Sequence, residues 1–116
     1  MAEETALWIG KPFNYGFPSF TQYQITDRRL IVEKGLFTKK REETLLFRIR
    51  DISLKRSLTE RIWNMGDITI QATDSSTPIY ILKNIKNSIH VADLLGEAVE
   101  KSRIRNKVME LTEVQT

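Results

Sequence analysis

The stretch Tyr23-Gln24-Ile25-Thr26-Asp27-Arg28-Arg29-Leu30-Ile31-Val32, followed by Gly35-Leu36-Phe37, decides how the chain is read. Tyr23 and Ile25 alternate with Gln24 and Thr26, and Leu30 and Val32 resume the alternation after a polar turn at Thr26-Asp27-Arg28-Arg29. Period two marks a strand with one face in a core, so the spacing predicts a hairpin. Gly35 is placed to supply a positive φ where the second of these strands ends.

Working outward, Thr5–Gly10 reads as a preceding strand, broken off by Pro12, Gly16 and Pro18. Further strands are expected over Arg41–Phe47, Asp51–Lys55, Asp67–Ala72 and Pro78–Leu82, with Asp74-Ser75-Ser76 as a turn. In the Asp51 segment Ile52 and Leu54 fall on one face, Ser53 and Lys55 on the other. Leu58–Trp63 reads as a helical turn stopped by Asn64 and Gly66, with Trp63 anchoring it beside Ile62 and Met65. From Asn87 or Ser88 as N-cap a long helix is expected, with Val91, Leu94, Leu95 and Ala98 as its buried stripe. Ile104, Val108 and Leu111 fall on nearly the opposite side. Either the helix ends near Ser102, or its tail offers a second face to a partner. Seven short strands and one terminal helix predict a mainly β sandwich or barrel with the helix as its plug.

Composition bounds the rest. The 116 residues suffice for one domain, able to bury roughly 65% of its extended surface. The apolar share of 41% and charged share of 28% are those of ordinary globular chains. Without cysteine there is no disulfide, no thiolate chemistry and no sulfur-ligated zinc. The acidic start Met1-Ala2-Glu3-Glu4-Thr5-Ala6 is unlike a secretory signal. The longest apolar runs, such as Leu45-Leu46-Phe47, fall far short of the roughly 20 residues of a membrane span. A cytoplasmic protein is expected, associated with membranes at most peripherally. The net charge of +3 divides unevenly: −2 over residues 1–27, +6 over 28–61 and −1 over 62–116. The positive third is where an anionic partner would be met.

The inventory for catalysis is thin. His90 is the only histidine, and no Gly-x-Ser-x-Gly elbow, calcium loop or His-Glu-x-x-His pattern is present. The five glycines are isolated, so no phosphate-cradling loop is encoded. No catalytic residue, metal ligand or cofactor is expected. The basic segment is the candidate for anion or lipid contact: Lys39, Lys40 and Arg41 are contiguous, and Arg48 and Arg50 follow. Each basic residue close to an anionic bilayer contributes about 1 kcal/mol. The plainer reading is that these side chains blunt strand edges and keep the chain in solution. Trp8, Phe13, Tyr15, Phe17 and Phe20 crowd the region before the hairpin, either as an exposed aromatic loop or folded over an open barrel edge.

Tyr23 through Phe37 resembles the bacterial pleckstrin-homology (PH) domain family, whose members carry a similar Thr-Asp-Arg-Arg-Leu-Ile-Val and Lys-Gly-Leu-Phe signature. The resemblance continues through Glu43–Ile52, Gly66-Asp67-Ile68-Thr69-Ile70 and Pro78–Leu82, and covers roughly residues 5 to 100. It implies two nearly orthogonal antiparallel sheets with a C-terminal helix closing one corner. Residues 1–104 are then one PH-like domain including the capping helix, and 105–116 a helix extension or frayed tail. It also implies a non-enzymatic binding or assembly module, since some bacterial relatives form symmetric oligomers or serve as protein-interaction platforms. The expected partner is a protein, a second copy included, with Ile104, Val108 and Leu111 as the candidate partner face. An anionic phospholipid surface is the alternative, and nucleic acid ranks below both because no module signature for it is present. Eukaryotic PH domains hold inositol phosphates with basic residues around the loop joining their first two strands. If the Tyr23 hairpin is that pair, its turn offers only Arg28 and Arg29.

Overall fold

A computed structural model describes residues 4–13, 20–73 and 79–115, with side chains through Met109. Two antiparallel sheets enclose the core. The first runs β1 (Ala6–Gly10), β2 (Thr21–Thr26), β3 (Arg29–Lys34), β4 (Lys40–Leu45), in that spatial order. A single 3₁₀ turn at Leu46–Arg48 carries the chain into the second sheet, β5 (Ile49–Lys55), β6 (Met65–Ala72), β7 (Ile79–Lys86). A short helix, α1 (Leu58–Ile62), bridges β5 and β6, and α2 (Ser88–Gln115) ends the chain. The fold is mainly β with one long terminal helix, as the periodicity and the resemblance imply.

The Tyr23 hairpin forms, but as the second and third strands. Tyr23 pairs with Val32 and Ile25 with Leu30, and Val32 and Leu30 pair onward with Glu42 and Thr44 of β4. One alternation thus sends Tyr23, Ile25, Leu30 and Val32 into the core, where the opposing sheet contributes Ile68, Ile70, Tyr80 and Leu82. The first two strands are therefore β1 and β2, with residues 11–20 between them, and the short Asp27-Arg28 turn joins the second and third. Gly35 takes φ +123° as expected. Of the N-terminal aromatics, Trp8 packs on the core, Phe13 is tied by its N–H to the Asn84 carbonyl at 2.9 Å, and Phe20 is exposed. Tyr15, Phe17 and the expected turn at Asp74 lie outside the described residues.

Four local expectations need correction. The fourth strand stops at Leu45 instead of Phe47, because Leu46 must swing inward to full burial while its N–H donates to the Arg28 carbonyl. The seventh strand continues past Leu82 to Lys86, since Asn84, at φ +48°, absorbs an irregularity and returns Ile85 to the core. Gly66 does not stop α1. It sits buried inside β6, where a Cβ would lie 2.9 Å from Ser88 Oγ, and Asn64 alone takes the left-handed conformation. Trp63 anchors nothing: α1 buries none of its residues, and Trp63 is 68% exposed.

The helix α2 buries Val91, Leu95, Ala98 and Val99 against the open corner between the sheets. Leu94 is only partly covered. It does not end near Ser102. Arg103 donates to the Ile49 carbonyl, and Arg105 to the Asp27 carbonyl at 3.4 Å, so both sheets hold it beyond that point. Its last turns then run past the barrel with Ile104 and Val108 facing outward.

Candidate interaction surfaces

The basic run splits between the two sheets. Lys39 immediately precedes β4, Lys40 begins it and Arg41 lies within it. Each finds a carboxylate: Lys39 Nζ at 3.5 Å from Glu33, Lys40 Nζ at 3.5 Å from Glu42, Arg41 Nη2 at 3.0 Å from Glu43. Arg48 belongs to the 3₁₀ turn, its guanidinium 5.3 Å from the Phe47 ring centre. Arg50 is exposed on β5. The five are not gathered into one pocket, and the three on the β4 side sit among acids that locally balance their charge.

The polar turn of the hairpin is built around an ion network. Thr26 Oγ1 accepts from the N–H groups of Arg28 and Arg29, at 3.1 and 2.9 Å, which closes the turn. The same hydroxyl donates to Glu4 at 2.7 Å, and Arg29 bridges Glu4 at 2.9 Å and Glu43 at 3.2 Å. Burial pushes the Glu4 carboxyl up, but the hydrogen bonds from Thr26 and Arg29 outweigh it and hold the group below the usual carboxylate range. Arg29 is therefore a structural pin between β1, β3 and β4, while Arg28 is exposed.

Three features had no counterpart in the sequence reading. The first is the tip formed by α1. A capping box between Ser57 and Glu60 sets the helix, and Arg56 fixes the following turn by donating to the Met65 carbonyl at 3.1 Å. Leu58, Ile62 and Trp63 are left projecting, Ile62 at 80% exposure. Their helical spacing was legible in the sequence; that no described element covers them was not. The second is the free margin of β5. The third is a cleft of about 440 Å³ between β5 and α2, lined by Ile49, Ile52, Val99 and Ile104 among others. Its apolar floor is interrupted by Arg50, Glu100 and Arg103.

His90 is exposed on the first turn of α2 and has no hydrogen-bonded partner among the described residues. Among those same residues no group of three or more acids and histidines is placed to hold a metal ion. No described helix is long and apolar enough to cross a membrane.

A four-stranded and a three-stranded antiparallel sheet, with a terminal helix closing their shared corner, define the class of PH-like β-sandwich modules. The chain belongs to the bacterial PH domain family, whose model matches residues 5–99. Among curated proteins no match to this chain is found. Members of the PH class are in general non-catalytic modules, and the matched region takes in both sheets and the core-packing half of α2.

Proposed function

We propose that this protein is a non-enzymatic binding and assembly module that works through protein–protein contacts, self-association included. The observation that carries the reading is the outward face of α2. Ile104 and Val108, one turn apart, are 60% and 57% exposed on a helix that the barrel holds firmly through Arg103 and Arg105. Apolar side chains at that spacing on a rigid support are what a protein partner uses. Leu111 continues the series in sequence, with its side chain outside the described residues. Size-exclusion chromatography with light scattering tests it. Ile104→Glu with Val108→Glu, or truncation after Asn106 (which keeps the Arg103 contact), should weaken an assembly that the intact chain forms. A chain that is monomeric at every concentration and captures no protein partner through this face overturns it.

A second reading, peripheral contact with anionic phospholipid, draws on a different observation. The projecting Leu58, Ile62 and Trp63 are flanked by the basic Lys55 and Arg61, the arrangement of a shallow interfacial anchor. It supports contact at α1 more than at Lys39, Lys40 and Arg41, whose charges are already matched by Glu33, Glu42 and Glu43. Sedimentation with phosphatidylserine vesicles should then depend on salt and on Trp63→Asp. Binding indifferent to both rules the reading out.

A further inference from the structure

Among the described residues, strand β5 is the outermost member of its sheet, with β6 on one side and no strand on the other. The helix α2 uses only the beginning of this margin, where Arg103 donates to the Ile49 carbonyl. Beyond it, among the described residues, no other element hydrogen-bonds to the 51–55 backbone from that side. Such a margin is a template for another strand. Its side chains are unusual for one. Ile52 and Leu54, opposite Ile70 and Ile68, point to the inner face, yet Ile52 is only half-buried and Leu54 is 36% exposed. On the outer face Asp51 and Lys55 make no ion pair among the described residues.

We propose that β5 pairs antiparallel with β5 of a second copy of this chain, about a two-fold axis passing at Ser53. The segment Asp51-Ile52-Ser53-Leu54-Lys55 is self-complementary about that residue. Asp51 falls opposite Lys55 of the second copy, twice by symmetry. Ile52 falls opposite Leu54, also twice, and Ser53 meets Ser53. Residues directly opposite in an antiparallel pair share a face, so charge meets opposite charge outside and apolar meets apolar inside. Neighbouring registers fail this match. An axis at Ile52 sets Arg50 against Leu54 and an axis at Leu54 sets Arg56 against Ile52, whereas the Ser53 axis sets Arg50 against Arg56, a like-charged pair that flanks the matched 51–55 segment. The Ser53 register also carries Leu54 of the second copy to the side of Ile52, into the cleft that Val99 and Ile104 line. The contact is isologous, as a closed dimer requires, and the two three-stranded sheets become one of six strands.

This inference rests on the self-association reading above and gives self-association a surface distinct from the outward face of α2. The chain has no cysteine, so Ser53→Cys supplies a single thiol. Opposite residues in such a pair lie about 4.5–5.5 Å apart between Cα atoms, within disulfide reach. Under mild oxidation the Ser53→Cys chain should become a covalent dimer, while Gln71→Cys on the same sheet should not. Asp51→Cys alone should stay uncrosslinked but link to Lys55→Cys when the two are mixed. In light scattering, Lys55→Asp should raise the dimer dissociation constant about tenfold, because like charges then face each other twice. Combining it with Asp51→Lys should restore association. A dimer in which Ser53→Cys crosslinks no better than Gln71→Cys, and which ignores Lys55→Asp, leaves self-association standing and overturns this surface. A chain monomeric at all concentrations overturns both. Protection of the β5 amides only on adding a foreign extended peptide would give the margin to another occupant and likewise overturn the proposal.

Discussion

Asn64 and Asn87 hold each other in the left-handed conformation. Their φ values are +55° and +54°. The Asn87 N–H donates to the Asn64 carbonyl at 2.8 Å, and the Asn64 side-chain amide donates to Asn87 Oδ1, also at 2.8 Å. One residue ends the turn after α1 and the other opens α2, so the pair couples the tip to the capping helix. The Asn87 side chain is consequently turned away from capping its own helix, although its carbonyl still receives the Val91 N–H at 3.0 Å.

This pair yields the first prediction. Asn64→Ala removes a side-chain hydrogen bond and forces a Cβ-bearing residue without local compensation into the left-handed region. Together these cost about 2 kcal/mol. Asn64→Gly restores the backbone freedom and should cost only about 1 kcal/mol. Urea unfolding followed by circular dichroism separates the two, and equal losses would show that the backbone conformation contributes nothing.

At Gly35 the reason for glycine is steric as well as torsional. Its φ is +123°, and an added Cβ would stand 2.0 Å from the Thr38 carbonyl oxygen. Gly35→Ala should therefore shift the β3–β4 connection and lose about 2 kcal/mol. Retained thermal stability in this variant would contradict the assignment.

Acid should loosen the anchorage of β1. The Glu4 carboxyl has a lowered pKa when folded, so its contribution is present above the ordinary carboxylate value of 4.5 and fades as pH falls below it. Both Glu4 and Arg29 are partly exposed, so the effect is roughly 0.5–1 kcal/mol. Glu4→Gln should lower stability at neutral pH and make the acid limb of a melting-temperature profile shallower. An unchanged limb would mean that other carboxylates account for it.

Alkali acts on a buried hydroxyl of the core. Burial raises the Tyr23 hydroxyl pKa above 10, against a smaller opposing effect from the Lys83 N–H that donates to it at 3.3 Å. A raised pKa means the unfolded chain loses its proton first, so stability is intact below pH 10 and falls as pH rises beyond it. Tyr23→Phe should flatten that fall in thermal melts between about pH 9 and 11.

Much of the fold was legible because period two survives wherever a strand has one dry face. The hairpin, the Asp67 strand and the Val91–Leu95–Ala98 stripe all read correctly on that basis. The places that failed are those where the cause lies far along the chain. Nothing near Trp63 reveals that no described element covers it, and nothing near Asn84 announces that β7 resumes beyond it. The positive third was read either as blunted strand edges or as a surface for an anionic partner, and a charge run does not disclose its counter-ions. Glu33, which pairs with Lys39, sits on the neighbouring strand. The β5 margin was hidden for the same reason: its alternation is visible, but which strands end up outermost is a property of the assembled sheets.

The helix that shuts the corner follows all seven strands in chain order. Until it docks, the corner beside Ile25, Leu30, Ile68 and Leu82 lacks the side chains that cover it in the finished core. Sealing waits for Val91 through Val99, and the tether from Arg103 to Ile49 reaches back 54 positions. A chain whose sheets have formed but whose helix has not docked is therefore an unsealed species with apolar surface open to aggregation.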